Sequence, residues 1–374
     1  MSGGRQPATA ANDLAGPSGQ QQVGPTRDMI RSRLRETDPQ RLESLWCRAD
    51  STRKAHVGDE VHLRGLIEIS NYCVRLCGYC GLRAGNRELG RYRMTGHEIM
   101  DCVARAAEYG YGTVVLQAGE DYGMTRDWIA GLVRRIKNEF GLAVTLSLGE
   151  RPVEDLVAWR EAGADRYLLR FETSDPDLYR AIHPGRRGKR ADPLDRISML
   201  RRLRQLGYEA GSGIMVGIPG QTYETLADDI ELFRSLDLDM VGVGPYIAHP
   251  STPLGESRWT AGIATADQVP NSELMVYKVV ALTRLVCPEA NIPSTTALAT
   301  INRESGRELG LRRGANIVMP NLTPPKYRVL YEIYPDKACI NETAEMCRGC
   351  LGGRIEAIGR SVGSGPGGRR RCGA

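Results

Sequence analysis

The segment Cys73-Val-Arg-Leu-Cys77-Gly-Tyr-Cys80 places three thiols on one short stretch of chain. Three soft thiolate ligands on a loop can converge on one soft metal site. A cubane [4Fe–4S] cluster held by only three thiolates keeps one iron free for a ligand, much as an open position marks a catalytic zinc. We therefore predict a catalytic cluster on these cysteines. Zinc or three unrelated core cysteines are the alternatives, but the segment lacks a suitably spaced fourth zinc ligand.

The composition limits the cell compartment and the class of partner. The chain has 374 residues, ten cysteines and a formal net charge of +5. A net positive charge this small does not indicate nucleic acid binding. The N-terminus lacks the apolar region of a signal peptide, and no window is apolar enough to span a bilayer, so we expect no membrane partner. Many cysteines in such a chain predict a reducing cytoplasm.

Short apolar runs alternate with segments of helical periodicity on both sides of the cysteine motif. Eight strand–helix units in order predict the α/β class and a (β/α)8 TIM barrel, with a doubly wound open sheet as the alternative. We expect disordered tails at residues 1–25 and 359–374 and a single barrel domain over 26–358. The predicted strands are Leu66–Ser70, Thr113–Ala118, Ala143–Ser147, Arg166–Arg170, Gly211–Val216, Met240–Val243, Asn291–Ser294 and Asn316–Met319.

Polar residues and glycines follow several of these strands. The second strand ends in Gln117 and Ala118 and is followed by Gly119, Glu120 and Asp121. Glu172 follows the fourth strand, and Thr295 and Thr296 follow the seventh. The cysteine motif itself follows the first. Because barrel active sites lie at the carboxyl ends of the strands, these groups are expected to share one rim. Each turn alone is weak evidence, but together they indicate a site for a polar cofactor.

The cysteine spacing Cys-x3-Cys-x2-Cys, with Tyr79 before the last cysteine, resembles the signature of the radical S-adenosylmethionine (SAM) superfamily. The resemblance implies a [4Fe–4S] cluster whose open iron binds the amino and carboxylate groups of SAM. One electron then cleaves SAM to methionine and a 5′-deoxyadenosyl radical. Such a radical needs a closed, dry site, which a barrel interior can supply.

Residues 30–358 resemble more specifically the HydE family of [FeFe]-hydrogenase maturases. The matching stretches are Gly81–Arg83, Arg91–Thr95, Val115–Asp121, Ser147–Glu150, Ala164–Arg170, Gly217–Thr222, Asp239–Gly242, His249–Pro250 and Ala315–Asn321. The resemblance implies maturation of the diiron subcluster of the H-cluster, acting on a small organometallic substrate, a cysteine-ligated Fe(CO)2CN precursor. It also implies the partner maturases HydG and HydF and a reductant such as ferredoxin or flavodoxin.

The same resemblance assigns residues to the two ligands. For SAM it implies Tyr79, Gln117, Glu172, Arg196 and Met215. For the substrate it implies Thr145, Arg166, Arg170, Thr295, Thr296, Tyr331 and Tyr334. A structural ion pair is the alternative for Arg166, and a packed aromatic stripe is the alternative for the tyrosines. The chain departs from the family at Phe171, where histidine is common, so a proton-transfer or metal role at that position is in doubt.

Three further thiols, Cys339, Cys347 and Cys350, lie near the C-terminus. They predict a second iron–sulfur cluster, [2Fe–2S] or [4Fe–4S], which the resemblance marks as dispensable. A zinc site and an empty or adventitious site remain open.

Two other functions are compatible with the cysteine motif. One is a different radical SAM enzyme, of the biotin synthase or methylornithine synthase type. Biotin synthase would need ligands for an auxiliary cluster inside the barrel, whereas the second triad lies outside the strand–helix pattern. The other is an iron–sulfur carrier or scaffold, which would not need polar strand ends for SAM.

Overall fold

The protein is represented by a computed structural model, and the structure describes residues 24–185, 193–256 and 264–369. The predicted N-terminal tail up to residue 23 and residues 370–374 of the predicted C-terminal tail lie outside these residues.

Eight strands and thirteen helices are formed by the described residues. The strands are β1 (Glu60–Ser70), β2 (Thr113–Ala118), β3 (Ala143–Ser147), β4 (Arg166–Leu168), β5 (Glu209–Val216), β6 (Met240–Pro245), β7 (Ile317–Val318) and β8 (Ser361–Val362). The helices are α1 (Arg27–Arg35), α2 (Pro39–Val57), α3 (Gly96–Glu108), α4 (Arg126–Phe140), α5 (Val153–Glu161), α6 (Pro176–Ile182), α7 (Pro193–Gln205), α8 (Tyr223–Ser235), α9 (Glu273–Val286), α10 (Thr296–Ile301), α11 (Gly306–Arg312), α12 (Pro325–Arg328) and α13 (Ala344–Ala357).

Seven parallel strands follow one another in the order β6-β5-β4-β3-β2-β1-β7. Two isolated parallel bridges, between Met240 and Asn291 and between Pro293 and Ile317, join the two ends of this sheet. The predicted seventh strand, Asn291–Ser294, therefore occupies its place in the ring but forms only bridges. The predicted barrel is confirmed, with its weakest pairing in that segment.

Helix boundaries follow from local side-chain chemistry. Thr95 and Glu98 form a reciprocal capping box at the start of α3. Gly141 ends α4 with a backbone φ of 65°, a left-handed conformation that glycine adopts at little cost. Helices α3, α4, α7, α8 and α9 pack on strands of the barrel, while α1 and α2 pack outside it against α8 and α9. The barrel core is thereby shielded from water on its outer face.

The C-terminal segment differs from its prediction as a disordered tail. Residues 361–362 form β8, which pairs in parallel with the first residues of β1. Beyond it, the carbonyl oxygens of Pro366 and Gly367 accept hydrogen bonds from barrel side chains. The backbone supplies these acceptors, so the Gly-rich composition that suggests disorder does not prevent ordering here. Residues 359–369 therefore close the amino-terminal end of the barrel, which we call the floor.

Candidate active site

The loop after β1 carries Cys73, Cys77 and Cys80 and is fixed by hydrogen bonds from several elements. The guanidinium of Arg91 donates to the carbonyl oxygens of Asn71 and Leu82 at 2.6 and 2.8 Å. The amide of Gly78 donates to the carbonyl of Ile182 at 2.7 Å. The loop is thus held in shape by the protein alone, before any metal binds.

The end of β2 approaches this loop closely at Gly119. A Cβ there would lie 2.3 Å from the carbonyl oxygen of Tyr72 and 2.8 Å from the Cβ of Cys73. Only glycine permits this approach. As a result, the amide of Glu120 donates to the sulfur of Cys73 at 3.4 Å. A backbone amide pointing at sulfur favours the thiolate that an iron–sulfur cluster requires.

Burial raises the pKa of all three thiols, and that of Cys77 reaches about 12. The pKa of Cys80 is raised further by the nearby Cys77 and Cys73. The guanidinium of Arg196 opposes the rise at Cys77. The three thiols therefore lie close enough to interact electrostatically. Because a ligating cysteine must lose its proton, metal binding here releases protons and is favoured as the pH rises.

Among the described residues, no three His, Cys, Asp or Glu side chains form a group suited to one metal ion. A cubane spreads its ligands over separate iron atoms, so its thiols do not need to meet at a single point. The three thiols of the first triad can therefore ligate a cluster without meeting at one point.

A cavity of about 340 Å3 fills the barrel interior below this loop. Tyr79 and Cys80 lie at its upper end, whereas Arg64 and Asn291 lie towards the floor. Eleven residues predicted as ligand contacts or cluster ligands line it, namely Tyr79, Cys80, Gln117, Thr145, Arg170, Glu172, Met215, Thr295, Thr296, Tyr331 and Tyr334. The sequence prediction of one shared rim is therefore supported by their placement.

Several polar atoms facing this cavity have no hydrogen-bond partner in the described structure. They are the hydroxyls of Thr145 and Tyr246, Nε of Arg64, Nε of Arg170 and Oε2 of Glu172. Arg170 Nη2 lies 3.2 Å from that glutamate oxygen, but without hydrogen-bond geometry. Buried polar atoms are usually satisfied, so unpaired ones along a cavity mark where a polar ligand fits. These residues fit a cluster-bound, polar cofactor such as SAM.

The backbone at Glu172 is in the left-handed region, with φ of 65°. A glutamate rarely adopts this conformation, and surrounding structure must hold it there. The amide and hydroxyl of Ser174 both donate to the carboxylate of Asp229 at 2.6 Å. This anchor below the turn fixes the strand end and directs Glu172 at the cavity.

Arg196 lies behind the cluster loop rather than in the cavity lining. It donates to the carboxylate of Glu150 at 2.9 Å and lies 2.7 Å from Nε2 of His183. Glu150 also pairs with Arg75, which lies between two of the cluster cysteines. The predicted SAM residue Arg196 thus belongs to a buried ion-pair network that supports the loop.

Arg166 lies at the floor of the barrel and does not line the cavity. Its guanidinium donates to Glu209 at 2.6 Å, to Thr113 Oγ1 at 3.0 Å and to the Pro366 carbonyl at 3.1 Å. It is the first residue of β4, so its side chain starts at the end opposite the mouth. The structure therefore favours the ion-pair alternative for this residue over substrate contact.

Phe171, at the position where the family often carries histidine, is fully buried and packs 5.7 Å from the ring of Phe233. It lines no part of the cavity, so its role is in the core.

Sequence reasoning missed Arg64, Glu68, Tyr246 and Lys337, which all line the cavity. A signal was present in β1, where Arg64, Leu66 and Glu68 alternate with apolar residues and so point to one face. Lys337 lies in a loop far along the chain, and no local pattern indicates that it reaches the barrel interior.

Cys339 and Cys350 of the second cysteine triad do not line the cavity. Cys339 has a left-handed backbone with φ of 62°, and Cys350 is exposed on α13. The side chain of Cys347 lies outside the described residues. The two described thiols are thus separated from the site formed by the first triad.

The model of the radical SAM superfamily matches residues 67–233. The [FeFe] hydrogenase maturase subunit HydE of Thermotoga maritima is 46% identical over 92% of this chain and 94% of its own length. The chain belongs to the HydE family. The recognition made from the cysteine motif and the matching stretches is thereby confirmed.

Other relatives place this HydE-family chain within the same superfamily. The 3-methylornithine synthase of Methanosarcina acetivorans is 31% identical over 78% of each chain. A crystal structure of methylornithine synthase (PylB) superposes with a TM-score of 0.75, at 26% identity, over 91% of this chain and 95% of that one. Radical SAM membership implies a [4Fe–4S] cluster and SAM as cofactors. Within the part of the chain that the structure describes, no helix is long and apolar enough to cross a membrane.

Proposed function

We propose that this radical SAM enzyme matures the active site of an [FeFe]-hydrogenase, acting on a cysteine-ligated Fe(CO)2CN precursor of the diiron subcluster. The observation that carries the proposal is the identity to a HydE maturase along nearly the whole chain. The cavity agrees with it, because a small anionic complex suits a chamber lined by cationic donors such as Arg64, Arg170 and Lys337.

When bound, a reduced [4Fe–4S] cluster supplies the electron that cleaves SAM to a 5′-deoxyadenosyl radical. Cys73, Cys77 and Cys80 would hold that cluster at the mouth. We assign Tyr79, Gln117, Glu172 and Met215 to SAM, because all four line the cavity near the loop. The unused oxygen of Glu172 can accept from an ammonium or ribose hydroxyl.

We assign the remaining lining residues to the organometallic substrate. They are Thr145, Arg170, Thr295, Thr296, Tyr331 and Tyr334. Arg170 presents an unused Nε, and Thr145 presents an unused hydroxyl. These donors can orient the cyanide group, while the apolar lining keeps water from the radical.

The proposal also includes partner proteins, an electron donor and a second cluster. We propose that HydG supplies the substrate, that HydF receives the product, and that a ferredoxin or flavodoxin reduces the cluster. A reducing cytoplasm suits this chemistry, and the eight cysteines described in full are all unbridged. Cys339, Cys347 and Cys350 are assigned to a second iron–sulfur cluster.

The test is anaerobic. The protein is reconstituted with iron and sulfide, reduced with dithionite and mixed with SAM and the complex made by HydG, and 5′-deoxyadenosine and hydrogenase activation are measured. Stimulation of 5′-deoxyadenosine by the complex, followed by hydrogenase activity, supports the proposal. If SAM is cleaved equally with and without the complex, the radical SAM activity stands but the proposed substrate is wrong. A reducible cluster that never cleaves SAM would favour a carrier.

A further inference from the structure

Glu68 and Lys337 form a buried ion pair on the cavity wall that no step above uses. Their side chains are 1% and 5% exposed, and Lys337 Nζ contacts Glu68 Oε1. Removing two charges from water is unfavourable, and their mutual attraction offsets this cost only in part. An ion pair facing a ligand cavity therefore suggests a binding role in addition to a structural one.

Glu68 is fixed before any ligand arrives. Its amide donates to Thr323 Oγ1 at 2.8 Å, and its carbonyl accepts from the Tyr92 hydroxyl at 2.7 Å. Its second carboxylate oxygen accepts from Asn321 Nδ2 at 2.9 Å. Both carboxylate oxygens are occupied, so Glu68 serves to position its partner.

Lys337 keeps donors available. An ammonium has three N–H donors, and within the described part of the chain the only hydrogen bond of Lys337 goes to Glu68. The neighbouring Ala338 amide donates to Thr300 Oγ1 at 3.0 Å, which holds the loop. The ammonium also lies 5.3 Å from the ring centre of Tyr331, one of the residues assigned to the substrate. Lys337 is thus pre-positioned as a donor at the cavity surface.

The charge of the lining selects the kind of ligand. The charged lining residues are Arg64, Arg170 and Lys337 against Glu68 and Glu172, which gives three cations less two anions, a net charge of +1. Glu172 lies beside Arg170 near the strand ends. The ion pair of Lys337 and Glu68 is therefore a separate position from which Lys337 can donate hydrogen bonds. The charge of Lys337 is balanced by Glu68, so the remaining N–H groups of its ammonium suit an oxygen acceptor, and the net positive lining favours an anionic one.

We propose that Lys337, held in place by Glu68, binds the carboxylate of an amino-acid-derived substrate. The proposal rests on the proposed function, since it supplies the substrate that carries this carboxylate. In it, Lys337 is a binding residue and Glu68 is a positioning residue. No proton or electron transfer is assigned to either.

The test measures 5′-deoxyadenosine formation by Lys337→Met at increasing concentrations of the cysteine-bearing complex made by HydG. We expect the KM for the complex to rise about tenfold to a hundredfold, the range for a hydrogen bond to a charged group. The maximal rate and substrate-free SAM cleavage should stay within about twofold. Lys278→Met is the matched control, because this buried lysine donates to the Leu34 carbonyl far from the cavity.

Each outcome decides between the proposals. An unchanged KM for Lys337→Met, with wild type responding to the complex, overturns the binding role alone. A wild type that ignores the complex overturns the proposed function, and the binding role with it. If Lys337→Met also loses substrate-free SAM cleavage, Lys337→Gln decides, because glutamine keeps a donor to Glu68 without the charge. Its KM must then rise, and an unchanged value refutes the inference.

Discussion

The two ends of the barrel differ in how their buried polar groups are paired. At the mouth, Arg170 and Glu172 keep atoms without hydrogen-bond partners. At the floor, Arg166 donates to a carboxylate, a hydroxyl and a backbone carbonyl, although Nε of Arg64, which also lies towards the floor, has no partner among the described residues. Arg166 and Arg170 are thus satisfied at one end and left open at the other.

This difference in hydrogen bonding distinguishes residues that bind a ligand from residues that stabilise the fold. An unpaired buried polar group costs free energy, so it persists where a ligand completes it. A fully paired one stabilises the fold and has no donor left for a ligand. The C-terminal segment supplies the missing partners at the floor, through the Pro366 and Gly367 carbonyls.

The sharpest contrast is expected from Cys77→Ala at the mouth. Losing one of three thiolates should abolish cluster assembly and lower 5′-deoxyadenosine formation by at least about a hundredfold. Chromatography of the product after anaerobic reconstitution measures it. Cys102→Ala, which removes a buried thiol from α3, is the control and should retain activity. If Cys77→Ala still cleaves SAM, the catalytic cluster is not bound by this loop at the mouth.

At the floor, Arg166→Met should affect stability instead of catalysis. Arg166 is buried but the Glu209 side chain is 31% exposed, so losing their charged hydrogen bond should cost about 1.5–3 kcal/mol. Urea unfolding gives the loss, and 5′-deoxyadenosine formation by the folded fraction should match wild type. If stability is instead unchanged and the KM for the substrate rises, the floor takes part in binding.

Glu172→Gln tests the unpaired groups of the mouth. Replacing the charged acceptor should raise the KM for SAM about tenfold to a hundredfold, with little change in the free energy of unfolding. Substrate-free SAM cleavage at varied SAM concentration measures the effect. The exposed Glu154→Gln serves as the control. Equal KM values for the two variants would place SAM elsewhere.

Asp229, below the mouth, links stability to pH. Burial raises the pKa of this carboxyl to about 7, so the fold favours its protonated form. The stability that it contributes is present at low pH and is lost as the pH rises towards and through 7. Asp229→Asn should therefore gain stability relative to wild type as the pH rises from about 5 to 8. Urea unfolding across that range tests it, and a constant difference contradicts it.

The smallest effect is expected at the end of the floor segment. Arg369 lies 2.6 Å from Asp237 and 3.2 Å from both Asp239 and Glu289. Arg369→Ala should cost about 1 kcal/mol in low salt, and less at high ionic strength, where screening weakens the network. Thermal unfolding in low and high salt measures both values. A large loss of SAM cleavage instead would mean that the floor must stay closed for catalysis.

Much of the mouth could be predicted from the sequence because the patterns that indicate it lie within short stretches of the chain. The cysteine spacing lies within one loop, and polar residues at strand ends follow directly from the barrel rule. The C-terminal segment was not predictable, because its Gly-rich composition carries no pattern that indicates β8 or its carbonyl contacts. Asn291–Ser294 is the opposite case, in which the sequence predicted more regular structure than is present. Its apolar run predicted a strand, but the segment forms only isolated bridges.

The sequence by itself determined the chemistry, since thiol number and spacing decide which cluster can form and strand–helix alternation decides the barrel. Tertiary structure alone decided which polar side chains remain open to a ligand. Arg166 and Arg170 lie four residues apart and are equally basic in sequence. One reaches Glu209 and Pro366 at the floor, whereas the other lines the cavity. The reason is physical: hydrogen-bond satisfaction depends on partners from distant parts of the chain, which only folding brings together.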